Sequence, residues 1–257
     1  MSSGERRSIH AQSFGAGALA DGDTGKPLRQ VIFDCDGVLV DSEVLAEQVL
    51  TQQLAEWLPD LDAEAELRTA LGMTTDAILG HLEAMSAHQL PMQALERIDS
   101  AIESRLADEL AAIDGVAELL EQLSLQGMAM AIVSNSSARR VKASLAATGL
   151  DRWLGSVPLF TAEQVAVPKP APDVYQLALR RLGRDVSECV VVEDSLAGVT
   201  AAVAAGLRVI GFTGAGHIPA GHDVSQREAG AWQSTANMAE VSTMISGLLT
   251  DDALAKE

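Results

Sequence analysis

The sequence predicts an α/β protein, a Rossmann-like parallel sheet with helices on both faces, into which an all-helical cap is inserted. Three observations predict it. From Asp114 onward, short β-rich apolar runs alternate with segments of helical period, the signature of crossover units in a largely parallel sheet. The earlier run Val31 to Phe33 is continuously apolar rather than alternating, as expected of a strand buried on both faces. Between Glu43 and Ile113 no strand pattern is readable, only apolar residues at helical spacing.

Residues 1–28 are expected to form a flexible leader: Gly, Ala, Ser and Asp recur there without periodicity, and no signal-peptide core is present. The core is then expected over 29–42 and 114–250, and the cap over 43–113. Cap helices are predicted at 43–57, closed by Pro59, and at 62–71, 75–85 and 92–110. Thr74 or Thr75 suits a helix cap and Pro91 a helix start. In the core the pattern gives a helix at 115–126, a strand at 128–133, and a helix at 137–148 closed by Gly149. A strand at 157–160 and a helix at 173–182, ended by Gly183, follow. The remainder reads as a strand at 189–192, a helix at 196–205 before Gly206, a strand at 207–212, a loop at 213–232 and a last helix at 235–249.

Size and charge exclude several classes of function. A chain of 257 residues can bury a full core. Its 36 acidic against 18 basic residues give a formal net charge of −18, and without a Lys/Arg cluster that surface repels nucleic-acid phosphates. No apolar run approaches the length of a membrane span. Cys35 and Cys189 fall in or beside buried strands, which suits small core residues in a reducing compartment, so a cytoplasmic monomer or homodimer is expected.

Chemistry concentrates at the predicted strand ends. The first strand delivers Asp34 and Asp36, the second Ser134 and Asn135, and a later one Glu193 and Asp194, with Pro168-Lys169-Pro170 between them. The C-terminal ends of parallel strands open on one edge, so residues 160 positions apart can meet around one ligand. Several carboxylates beside a single lysine repel one another unless a cation sits among them. Oxygen ligands without His or Cys select Mg²⁺ over zinc. Asp34, the backbone carbonyl of Asp36, and Asp194 are the expected ligands, with Glu193 acting through water or from behind. An acidic site carrying such a cation still admits a small phosphorylated metabolite.

These residues resemble the haloacid-dehalogenase-like phosphohydrolases, in the branch with a helical cap after the first strand, which includes sugar-phosphate phosphatases, phosphoglycolate phosphatases and β-phosphoglucomutases. The resemblance runs from Gln30 to Leu249. It rests on Asp34-Cys35-Asp36-Gly37-Val38, on Ser134-Asn135, on Lys169 in Pro-Lys-Pro-Ala-Pro-Asp, and on Glu193-Asp194-Ser195 followed by Gly198. It implies that Asp34 attacks phosphorus to form an aspartyl phosphate, and that Asp36 serves as acid and then base. Ser134 and the amide of Asn135 would hold phosphoryl oxygens, Lys169 would offset their charge, and Gly37 would let the chain turn toward the cap.

Substrate choice is expected from the turn Val40 to Glu43 and from the cap loop around Gly72, with Arg68 able to swing in. β-Phosphoglucomutases that resemble this chain carry a histidine, an arginine and a lysine where Ala46, Thr69 and Ser137 stand. Hydrolysis of a small sugar or polyol phosphate is therefore expected, with a phosphosugar mutase and an idle phosphate-binding protein as alternatives. Arg139 and Arg140 read as solvated surface, with a place at the pocket rim as the alternative for one of them. His217 and His222 read as surface histidines of a loop that can border the active edge and serve dimer contacts or substrate access.

Overall fold

The computed structural model describes residues 26–69 and 75–254. Lys26 pairs with Asp185 and Leu28 is already buried. Leu28, placed in the expected leader, instead belongs with its apolar side chain to the packed body, and the rest of that expectation, residues 1–25, lies outside the described residues. Strand β1 (Gln30–Phe33) is out of solvent along its length. Four helices follow: α1 (Ser42–Trp57), α2 (Ala63–Thr69), α3 (Thr75–Met85) and α4 (Ala94–Glu109). The last begins two residues later than its apolar pattern suggests, because Gln93 adopts a left-handed backbone (φ 62°) that no helix interior tolerates. Ile98, Ile102 and Leu106 repeat every fourth residue on α4 and are buried within the cap. Two segments tie cap to core: the Asp41 amide donates to Ala111 O (3.1 Å), and that of Ile113 to Leu39 O (3.1 Å).

The rest of the chain alternates as expected: α5 (Val116–Leu125), β2 (Ala129–Ser134), α6 (Ala138–Thr148), α7 (Asp151–Leu154), β3 (Leu159–Thr161), α8 (Asp173–Leu182), β4 (Cys189–Glu193), α9 (Leu196–Ala204), β5 (Arg208–Phe212), α10 (His222–Glu228), β6 (Gln233–Thr235) and α11 (Met238–Leu254). Three of these differ from expectation. The short helix α7 is additional, α10 replaces part of the expected loop at 213–232, and Thr235, expected to start the last helix, instead closes β6, so that α11 begins at Met238.

Among the described residues the six strands of the sheet pair in parallel, in the order β3-β2-β1-β4-β5-β6. Period-2 alternation divides the core. Val31, Phe33, Ile132 and Val192 pack on one face of the sheet, while Ile32, Val133 and Val191 pack on the other against Val174 and Tyr175 of α8 and Val199 of α9. From β1 the chain runs to β2 and β3 on one side and to β4, β5 and β6 on the other. The crevice where the order reverses thus lies at the C-terminal end of β1, where open α/β sheets bind ligands. Among the described residues no helix is long and apolar enough to cross a membrane.

Candidate active site

Asp34 is the first residue past β1, held there by its amide donating to Val192 O at 3.0 Å. Each of Asp34, Glu193 and Asp194 offers a carboxylate oxygen, and these oxygens lie within 4.8 Å of one another, all three residues being buried. Lys169 enters the same space. Its ammonium donates to Asp34 Oδ1 (2.6 Å), Glu193 Oε1 (2.5 Å) and Val133 O (3.0 Å). The loop bearing Lys169 is fixed by Asn135, whose side-chain amide donates to Lys169 O (3.2 Å) and accepts from Lys169 N (3.1 Å). The Asn135 side chain therefore positions the lysine.

Burial shapes the charge of this cluster. It holds the Asp34 carboxyl well above the ordinary carboxylate range, opposed by Lys169 and reinforced by Glu193, Asp194 and Asp36. The Asp194 carboxyl is pushed up to about 6, first by burial and further by Glu193, against the pull of His217 and Lys169. Burial alone would discharge Lys169, but Asp34 and Glu193 outweigh it and raise the ammonium's pKa. Glu193 is saturated with donors: besides Lys169 it accepts from Tyr175 Oη (3.1 Å) and from the amide and hydroxyl of Ser195 (each 3.2 Å). Tyr175 carried no signal in the sequence beyond a place on a helix.

Asp36 points elsewhere. Its carboxylate accepts from Ser42 Oγ (2.5 Å) and Ser136 Oγ (2.7 Å), with an Arg140 nitrogen at 3.8 Å. Its side chain is thus outside the three-carboxylate group, which leaves only its backbone carbonyl for the metal role expected of it. Ser134, at the end of β2, is buried and accepts from the Ser136 amide (2.9 Å). Gly37 has φ +80°, and a Cβ there would overlap the Asp194 carboxylate and crowd His217, so the turn requires glycine for both conformation and space. Glu43 lies at the mouth, exposed yet walled by protein. That desolvation and then Asp36 raise its carboxyl, against Arg140 and His217.

Three residues expected at the surface, His217, His222 and Arg140, instead adjoin the site, while Arg139 is exposed as expected. His217 Nε2 is 3.2 Å from Asp194 Oδ2. Burial works against its charge, but the hydrogen bond to Asp194 and the nearby carboxylates of Glu43 and Asp41 raise its pKa. His222 Nε2 and Gln226 Nε2, both on α10, donate to Asp194 O (2.8 and 2.6 Å) and so hold the end of β4. Arg140 faces Asp36, and Arg139 spans core and cap to pair bidentately with Glu103 of α4. Local pattern hides the placement of His217, His222 and Arg140, because each is set by contacts between distant segments. The one available clue was position: the loop after β5 and the start of α6 both open on the catalytic edge. The expected contacts of Gly72 and of the Arg68 side chain lie outside the described residues. A cleft of about 420 Å³ between α4 and α6 is walled by Leu106, Ala107, Ala143 and Ala147 with Arg139 and Arg140, and none of Asp34, Asp36, Glu193 and Asp194 lines it.

The family model for haloacid dehalogenase-like hydrolases matches residues 31–212. Protein CbbY of Rhodobacter capsulatus is 30% identical over 192 residues, covering 71% of this chain and 84% of that protein. The 6-phosphogluconate phosphatase of Escherichia coli is 28% identical over 186 residues, covering 72% and 82%. A crystal structure of a haloacid dehalogenase family hydrolase from Deinococcus radiodurans, with bound phosphate and sodium, superposes with a TM-score of 0.72 at 32% identity, covering 87% of this chain and 98% of that one.

Proposed function

This chain belongs to the haloacid dehalogenase-like hydrolases, and we propose that within them it is a Mg²⁺-dependent phosphomonoesterase for a small sugar or polyol phosphate, working through an aspartyl phosphate on Asp34. One observation carries the reading: the Asp34 carboxylate at the end of β1 shares a buried space with Glu193, Asp194 and the ammonium of Lys169. The donor set fits a hard divalent cation, since it is all oxygen and holds more buried carboxylate charge than one lysine offsets. Asp34, Asp194 and the carbonyl of Asp36 would hold the ion directly, with Glu193 behind them. When bound, Mg²⁺ neutralises phosphoryl charge and favours in-line attack.

The chain's own residues divide the remaining work. Asp34 attacks phosphorus, the bond to the leaving oxygen breaks, and Asp36 gives that oxygen a proton. Asp36 then takes a proton from water as the water attacks the aspartyl phosphate, which returns Asp34 and releases phosphate. The Ser134 hydroxyl and Asn135 amide hold the phosphoryl oxygens, and Lys169 draws off their charge. Glu43, with Arg68 and Gly72 of the cap, meets the leaving group. Ser42 and Ser136 fix the Asp36 carboxylate apart from the three-carboxylate group, which supports a role at the leaving oxygen rather than at the metal.

Protonation of the leaving oxygen matters most for a poor leaving group. Asp36→Asn is expected to lower kcat on an alkyl phosphate by about 10²- to 10⁴-fold, and to slow the first step far less for p-nitrophenyl phosphate. Burst kinetics on the two esters check this, and equal loss of the first step on both would contradict the role.

Metal and pH are linked through Asp194. Its carboxyl ionises near 6 in the fold against 3.8 in the open chain, so the folded state binds more protons between those values. The metal-free protein is therefore expected to lose about 3 kcal/mol as pH rises through that window. Mg²⁺ requires the ionised carboxylate and should restore stability above pH 6, so its effect on Tm is larger at pH 7.5 than at pH 5. Thermal melts with Mg²⁺ and EDTA at both pH values measure this; a shift no larger at pH 7.5 would count against metal at Asp194.

Phosphate release from a panel of sugar, polyol and nucleotide monophosphates, read as kcat/KM with Mg²⁺, tests the function itself. The highest values are expected among the sugar and polyol esters. Conversion of β-glucose 1-phosphate to glucose 6-phosphate without phosphate release would instead establish a mutase.

A further inference from the structure

Arg140 lines the cleft under α4 on one side and faces Asp36 on the other, and among the described residues its Nε meets no acceptor. Its side chain is 25% exposed. Its Nε is buried without an acceptor among the described residues, and Asp36, at 3.8 Å, is beyond hydrogen-bonding range. The Asp36 oxygens are already engaged by Ser42 and Ser136. Arg139 gives the contrast, because its two terminal nitrogens meet both oxygens of Glu103. A buried donor left unpaired carries a cost that a ligand can remove. Arginine's planar fork suits a carboxylate or phosphate above all. In a chain of net charge −18, a cation beside the group assigned to protonate the leaving oxygen is the natural seat for an anion on the leaving group.

We infer that Arg140 determines specificity by binding an anionic group, a carboxylate or a second phosphate, carried by the leaving-group part of the ester. This rests on the phosphomonoesterase reading above and narrows it from sugar or polyol phosphates in general to acidic ones. The separation from Asp36 sets the scale: with one partner at the ester oxygen and the other at the anion, 3.8 Å between them suits an anion a few bonds from the esterified carbon.

The test uses a matched pair of esters. 3-Phosphoglycerate and glycerol 3-phosphate differ in a carboxylate against a hydroxymethyl group, and a hexose 1,6-bisphosphate supplies the second phosphate. The intact enzyme is expected to favour an acidic ester in kcat/KM, and Arg140→Gln to reduce that preference by about 10- to 100-fold, mainly in KM. Arg140→Lys, which keeps the charge without the fork, should restore part of it. The ratio within one preparation is independent of the fraction folded, so a poorly folding variant still gives an answer. Preference for 3-phosphoglycerate assigns a carboxylate, and preference for the bisphosphate alone assigns a second phosphate. No preference for any acidic ester, or an equal loss on both members of the pair in Arg140→Gln, overturns the inference. Turnover of p-nitrophenyl phosphate alongside such a result leaves the hydrolase reading standing, whereas no release from any ester overturns both.

Discussion

Asp34→Asn is expected to lower kcat by about 10⁴-fold or more on every phosphate ester, because the amide oxygen is too poor a nucleophile to open the covalent route. The fold should survive the change. Burial and the neighbouring Glu193, Asp194 and Asp36 hold the Asp34 carboxyl well above its ordinary range despite Lys169, so at neutral pH its charge costs the metal-free protein stability. Removing one of three crowded carboxylates relieves that cost. Loss of turnover with an unchanged or higher Tm in EDTA at pH 7.5 is the expected pair of results. Activity within tenfold of the parent would remove Asp34 from the chemistry.

Lys169→Met is expected to damage stability and rate together. The ammonium is buried between Asp34 and Glu193 and also donates to Val133 O, so its removal strands two buried acids and a carbonyl. Breaking one side of such a cluster costs about 3–5 kcal/mol. The lost stabilisation of phosphoryl charge should lower kcat by about 10²- to 10³-fold. Mg²⁺ is expected to recover part of the stability, since a cation can again offset Asp34, but not the rate. Urea melts and steady-state kinetics on one preparation check both. A variant as stable as the parent would show that Asp34 and Glu193 do not depend on this lysine.

The strands that carry these residues were legible because they are central and parallel. Val31 to Phe33 and Cys189 to Val192 are buried on both faces and so appear as unbroken apolar runs ending at acids. Asp34, Lys169, Glu193 and Asp194 followed from topology, since parallel strands open on one edge. What stayed hidden has no local pattern. β6 (Gln233–Thr235) is a three-residue edge strand of polar side chains. Helix α10, with the sequence HDVSQRE, lacks apolar periodicity, and it is held in place in part through His222 and Gln226 on the Asp194 carbonyl. Arg140 and His217 look like surface residues in sequence because their partners lie 104 and 23 positions away, on Asp36 and Asp194. The acid at position 36 stood out in sequence as a candidate reacting group, but its orientation is set by Ser42 and Ser136, contacts that only the folded chain brings together.

The most direct test of the account is the fate of the phosphoryl group. Enzyme mixed with ³²P-labelled ester and Mg²⁺, quenched in acid within one turnover, should carry label on the peptide containing Asp34, stable to acid and released by hydroxylamine. Turnover without protein-bound label at any quench time, or label mapped to another residue, would contradict it.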